Sequence, residues 1–110
     1  MQIAERILML RRGSADVQVP VRIFAPERDG SAWRCRYEIG WPDGVRRRFA
    51  GGGDSVQAIL LALQMIGAEI YTNPYHASGQ LRWERDGGGY GFPVPKTIRD
   101  LLVGDDATFG

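Results

Sequence analysis

Gly51-Gly52-Gly53, followed by Asp54 and Ser55, has the outline of a loop that holds phosphate on backbone N–H groups at the start of a helix. No Lys follows the glycines, however, and Asp54 sets a carboxylate where the anion would sit. The spacing therefore predicts a turn and a helix cap. The one thiol, Cys35, and the one imidazole, His76, make a nucleophile and base only if the thiol is open to solvent and lies beside the ring. Cys35 shares its strand phase with Trp33 and Tyr37, so it reads as a small core residue. His76, in Asn73-Pro74-Tyr75-His76, reads as a solvated loop residue. A single His without a second His or a spaced acid sets no metal site. The adjacent carboxylates Asp105-Asp106, in a tail, lack the fixed separation that acid-base pairs require. No catalytic residue, metal or cofactor is expected, and the chain does not read as an enzyme.

Recognition through arginine is the stronger prospect. Residues 1–48 hold ten Arg against six acids and residues 49–110 hold four basic residues against seven acids, although the whole chain carries a net charge of only +1. Thirteen of the fourteen basic residues are Arg, whose planar fork suits carboxylate and phosphate; a GC-rich genome would give the same bias. With Trp33 and Tyr37 inward, Arg34 and Arg36 point outward. With Val45 and Phe49 inward, Arg46 and Arg48 join them, and Arg22, alternating with Val21 and Ile23, falls on the same side. Arg22, Arg34, Arg36, Arg46 and Arg48 are thus the binding candidates, on a face suited to phosphate or an acidic protein. Single-stranded nucleic acid would also ask for exposed aromatic rings, and only Phe24 offers itself. A solvated polar face tempered by Glu38 is the plainer alternative. Arg47 would point inward, toward an acid or at an edge.

The elements that must position these groups follow from turn signals and periodicity. Arg12-Gly13-Ser14-Ala15-Asp16 separates strands near 3–11 and 17–25, and Asp29-Gly30 precedes a strand at 33–39 of period two. Trp41-Pro42-Asp43-Gly44 turns the chain into a strand at 45–50, and such short connections predict an antiparallel meander. Residues 54–72 read as the one long helix, with Asp54 and Gln57 as a variant capping box. Its core stripe is Val56, Ile59, Leu60, Leu63, Ile66 and Ile70. The opposite face holds Gln57, Ala58, Leu61, Gln64, Met65, Ala68 and Thr72, and between Ser55 and Thr72 the only charge is Glu69. Such a face calls for a cover. Either the stretch 90–102 folds back over it, or a second copy packs Ala58, Leu61, Met65 and Ala68 across a twofold axis. Asn73-Pro74 ends the helix, 81–85 and 90–94 read as a last hairpin, and 95–102 as a short C-terminal helix.

The blocks Ile3-Ala4-Glu5-Arg6, Trp33-Arg34-Cys35-Arg36-Tyr37-Glu38-Ile39, Asp54-Ser55-Val56-Gln57-Ala58 running on to Ile66-Gly67-Ala68, and Gly91-Phe92-Pro93 resemble a family of small bacterial proteins catalogued as a domain of unknown function. The likeness covers about residues 3–93. It implies a compact bacterial protein of one domain and supplies no catalytic residue.

The length suits a single domain, which buries roughly two thirds of its unfolded surface. No stretch approaches the roughly 20 apolar residues of a membrane span, and the first residues carry charge where a signal peptide needs an apolar run. With one thiol the expected compartment is the cytoplasm. The expected architecture is α+β, five or six antiparallel strands on one long helix. One domain would span residues 1–103, with a flexible tail at 104–110. The expected function is a non-catalytic protein-interaction module whose partner is another protein or a second copy in a homodimer. A weak nucleic-acid binder using the Arg face is the alternative.

Overall fold

Turn chemistry sets the sheet. In the computed structural model, which describes residues 1–85 and 87–95, Gly13-Ser14 closes the hairpin between β1 (Gln2–Arg12) and β2 (Ala15–Phe24). Gly13 sits at φ 63°, which a side chain would resist. Gly30-Ser31 joins β3 (Glu27–Asp29) to β4 (Ala32–Trp41), and Pro42-Asp43 joins β4 to β5 (Gly44–Gly52). Pro26, which has no N–H for a ladder, falls in the break between β2 and β3. Those two strands therefore follow one another along one edge of β4, and β5 takes the other. A sixth strand, β6 (Leu81–Arg82), pairs with β1. Every strand pair is antiparallel, as the short connections predict.

The long helix α1 (Ser55–Tyr71) begins where its cap dictates. Gln57 N–H donates to Asp54 Oδ1 at 2.8 Å, and Gln57 Oε1 reaches back to accept from Gly53 N–H at 2.6 Å. The box is shifted by one residue, since Gln57 serves Gly53 rather than the cap residue itself. Gly53 N–H is thus held by a side chain of the same turn, and Gly51 and Gly52 belong to β5, the arrangement of a turn and a cap. After Asn73, which caps Tyr75 N–H at 2.9 Å, Pro74–Ala77 form the short helix α2.

α1 lies over β4 and β5. Leu8, Leu10, Val19, Val21, Cys35, Tyr37 and Ile39 rise from the sheet to meet Ala58, Ala62, Ile66 and Ile70, all fully buried or nearly so. Each Leu or Ile so buried contributes roughly 1.5–3 kcal/mol of hydrophobic stabilisation before entropy is charged against it. Burial pushes the Cys35 thiol above its ordinary pKa, in keeping with a packing role.

Three expectations require correction. The first half of the helix departs from its predicted stripe: Val56 and Leu60 are exposed, at 72% and 48%, while Ala58 and Ala62 are fully buried; Ile66 and Ile70 are buried as the periodicity predicts. Close approach decides this. A Cβ on Gly52 would lie 2.5 Å from Ala58 N, so strand and helix touch backbone to backbone, and only small side chains fit at the seam. Ala58 is thereby removed from any dimer surface; Leu61, Met65 and Ala68 are half-buried.

The phase of β5 is inverted as well. The two-residue turn pairs Trp41 with Gly44, which sets Arg46 opposite Ile39 and Arg48 opposite Tyr37. Residues directly opposite share a face. Arg46 and Arg48 therefore stand on the helix side, and Val45, Arg47 and Phe49 on the outer side.

The last hairpin is the third. Residues 90–95 form no strand; Glu84 at φ 63° and a tight Arg85 N–H to Trp83 O bond fold the chain sharply after β6. Tyr90, Phe92 and Val94 are buried in alternation, in an irregular segment that bends at Gly91, φ 78°, and packs on the helix and the core. At Gly67 this segment covers α1, because a Cβ there would lie 2.3 Å from Pro93 O. The short C-terminal helix and the tail at 104–110 fall outside the described residues, apart from Pro95, which is not helical.

Candidate functional site

The outer face of the sheet is a ladder of alternating charge. The registers bring Glu5, Arg22, Glu38 and Arg47 into one row across β1, β2, β4 and β5. Along it Arg22 Nε meets Glu5 Oε2 at 2.8 Å, Arg22 Nη1 lies 4.0 Å from Glu38 Oε2, and Arg47 Nε meets Glu38 Oε1 at 3.3 Å. Arg36 pairs with Glu27 at 3.3 Å and Arg34 with Asp29 at 2.6 Å, both across β3 and β4. Exposed pairs of this kind contribute roughly 0–1 kcal/mol each, so their main effect is to neutralise the surface.

Arg34, Arg36 and Arg22 thus lie together where the alternation predicts. Arg46 and Arg48 do not join them. Both reach Glu69 of α1, at 3.0 and 3.3 Å, and the same carboxylate accepts from the Tyr37 hydroxyl at 2.8 Å. One acid thus ties helix to edge strand. Burial, reinforced by Glu69, drives the Tyr37 phenol above its usual pKa, so it stays a proton donor.

Rings stand among the outer guanidinium groups. Arg34 lies 4.4 Å from the Phe49 ring centroid and Arg36 lies 5.3 Å from that of Phe24. Phe49 and Val45 are half exposed. A cleft of about 220 Å³ runs between the two Phe rings, with Arg36 and Arg47 on its walls. Phe49 and Val45 are surface residues that hydrophobicity alone assigns to the interior, and Arg47 follows them by strand phase. The pairing forced by Pro42-Asp43 was the signal that would have turned them outward.

His76 is not a solvated loop residue. It sits in α2, half-buried, edge-on to Tyr71 with centroids 4.8 Å apart, and its Nδ1 is 2.6 Å from the Tyr90 hydroxyl. Cys35 belongs to the core sheet face, so no thiol and imidazole come together. Among the described residues no three His, Cys, Asp or Glu side chains gather as metal ligands, and no helix is long and apolar enough to cross a membrane.

Burial lowers the His76 pKa below its ordinary value of about 6.5. The unfolded chain then takes up this proton first as the pH falls. Stability is fully present above about pH 6.5 and is lost progressively below it. His76 is the only histidine, so the denaturation midpoint should fall between pH 7 and 5.5, and His76→Phe should flatten that dependence. A parent midpoint that stays level over this range would show that the ring is solvated.

The sequence comparisons give one family. The family described as Domain of unknown function (DUF6968) matches residues 4–94. No curated protein and no solved structure matches the chain.

Proposed function

Since the chain belongs to that family of unknown function, DUF6968, and its description names no activity, we propose from the geometry a non-catalytic protein-interaction module that binds through the outer face of β4 and β5. The observation that carries this reading is the coincidence of half-exposed Phe49 and Val45 with arginines already paired to acids of the same chain. A polyanion would have to displace Glu38, Glu27 and Asp29 before gaining those guanidinium groups. A protein surface can keep the pairs as a polar rim and bury the rings, the arrangement expected of an interface centre.

Phe24 and Phe49 beside Arg34, Arg36 and Arg47 also supply the stacking surfaces that single-stranded nucleic acid asks for. One experiment separates the two. The parent chain and a Val45→Asp, Phe49→Asp variant are immobilised and exposed to nuclease-treated and untreated extract of the source cells. The expected result is a protein retained by the parent after nuclease treatment and lost by the variant. Retention of nucleic acid alone, with log affinity falling steeply against log salt, would replace this reading with the other.

A further inference from the structure

The edge of the sheet says more about the partner than its face does. β5 pairs with β4 and, among the described residues, with no other strand. Seven of its nine residues are exposed. An edge of this length offers a row of backbone donors and acceptors on which another strand can form. Its sequence, Gly44-Val45-Arg46-Arg47-Arg48-Phe49-Ala50-Gly51-Gly52, carries three consecutive positive charges and no acid.

That charge selects the occupant. Like charges set opposite one another across a strand pair are destabilising and unlike charges are favourable. A second copy aligned antiparallel on β5 would bring its own arginine run against Arg46, Arg47 and Arg48. An acidic strand would instead meet Arg47, which is 70% exposed and has only a 3.3 Å contact with Glu38 to exchange. Beside the same edge lies an open cleft of about 400 Å³ lined by Arg46, Arg47, Arg48, Phe49 and Met65. Its Met65 wall gives the apolar side chains of the incoming strand a place to lie on the helix side, which sets the alternate, acidic ones on the outer side with Arg47.

We propose that β5 is a strand-addition site for an extended segment of another protein in which acidic and apolar residues alternate. The proposal rests on the protein-binding reading above and names its mode. Its test uses the full chain and a fluorescein-labelled octapeptide of alternating Glu and Val, read by anisotropy. Saturable binding is expected, with a loss of about tenfold or more when alternate peptide nitrogens are methylated, when Lys replaces Glu, or when the chain carries Arg47→Glu. Arg47 points outward and holds no core contact, so that variant should keep the parent's circular-dichroism spectrum. Equal binding by the methylated peptide would reduce the effect to charge alone and overturn strand addition. Failure of the acidic peptide to bind also overturns it, whether a second copy or residues 96–110 of the same chain hold the edge. If the peptide fails while a protein is still captured by the parent and not by the Val45→Asp, Phe49→Asp variant, the interaction module stands and only its mode is lost.

Discussion

Glu69→Ala is expected to lower the free energy of unfolding by about 2–4 kcal/mol, a large effect for one polar substitution on a helix. Three donors converge on this carboxylate: Tyr37 Oη, Arg46 Nε and Arg48 Nε. The arginine pairs are half open to solvent and contribute little apiece. The phenol dominates. Tyr37 is fully buried, and without its acceptor the hydroxyl keeps the desolvation cost of burial with no bond in return, roughly 1–3 kcal/mol. Tyr37→Phe removes the donor along with the need for it and should cost only about 1 kcal/mol. In the double variant the two losses should fall short of their sum, since they share one bond. Urea denaturation of the four proteins measures this directly. Additive losses would mean that Glu69 acts only through the two arginines.

The same acid shows what the sequence disclosed and what it hid. Alternation in Trp33 to Ile39 placed β4 correctly, because a strand with one buried face writes its phase in period two. In β5 the apolar residues are Val45 and Phe49, and hydrophobicity puts them inside. The actual phase is fixed by pairing across a two-residue turn and made tolerable by Glu69, which receives the two arginines that pairing turns toward the helix. A lone acid in an otherwise uncharged helix was the visible trace of that arrangement. α1 misleads for a related reason. Ile66 and Ile70 of the expected stripe are buried, yet in the first half of the helix Ala58 and Ala62 take the place of Val56 and Leu60, because Gly52 brings strand and helix into backbone contact. Area favours the large side chain; distance admits only the small one. The cap was legible to within one residue because it depends on neighbours in the chain. The outer arginines were legible where they lie on β2 and β4 and illegible on β5; of the two outer rings Phe24 was legible and Phe49 was not.

Gly67→Val, at the one glycine of α1, should lower stability by several kcal/mol, roughly 3 or more. By helix propensity alone, replacing a mid-helix glycine with alanine stabilises by about 1 kcal/mol, and even valine is preferred to glycine there. Packing opposes this. Any Cβ at 67 would meet Pro93 O at 2.3 Å and Val94 Cγ1 at 2.9 Å, and the first of these is backbone that cannot rotate away. The segment must lift from the helix, and with it go the burial of Tyr90, Phe92 and Val94 and the hydrogen bonds from Arg6 Nη1 to the carbonyls of Tyr90 and Gly91, at 3.0 and 3.1 Å. Arg6 also lies 3.9 Å over the Trp83 ring, so the disturbance reaches the middle of β1. Overpacking of this kind costs roughly 1–3 kcal/mol for alanine, with valine above it. Denaturation monitored by tryptophan emission should show a lower midpoint and a red-shifted native spectrum as Trp83 loses its cover. The two forces predict opposite signs. A raised midpoint in Gly67→Ala would mean that propensity governs the position and that residues 92–94 do not rest on α1 in solution.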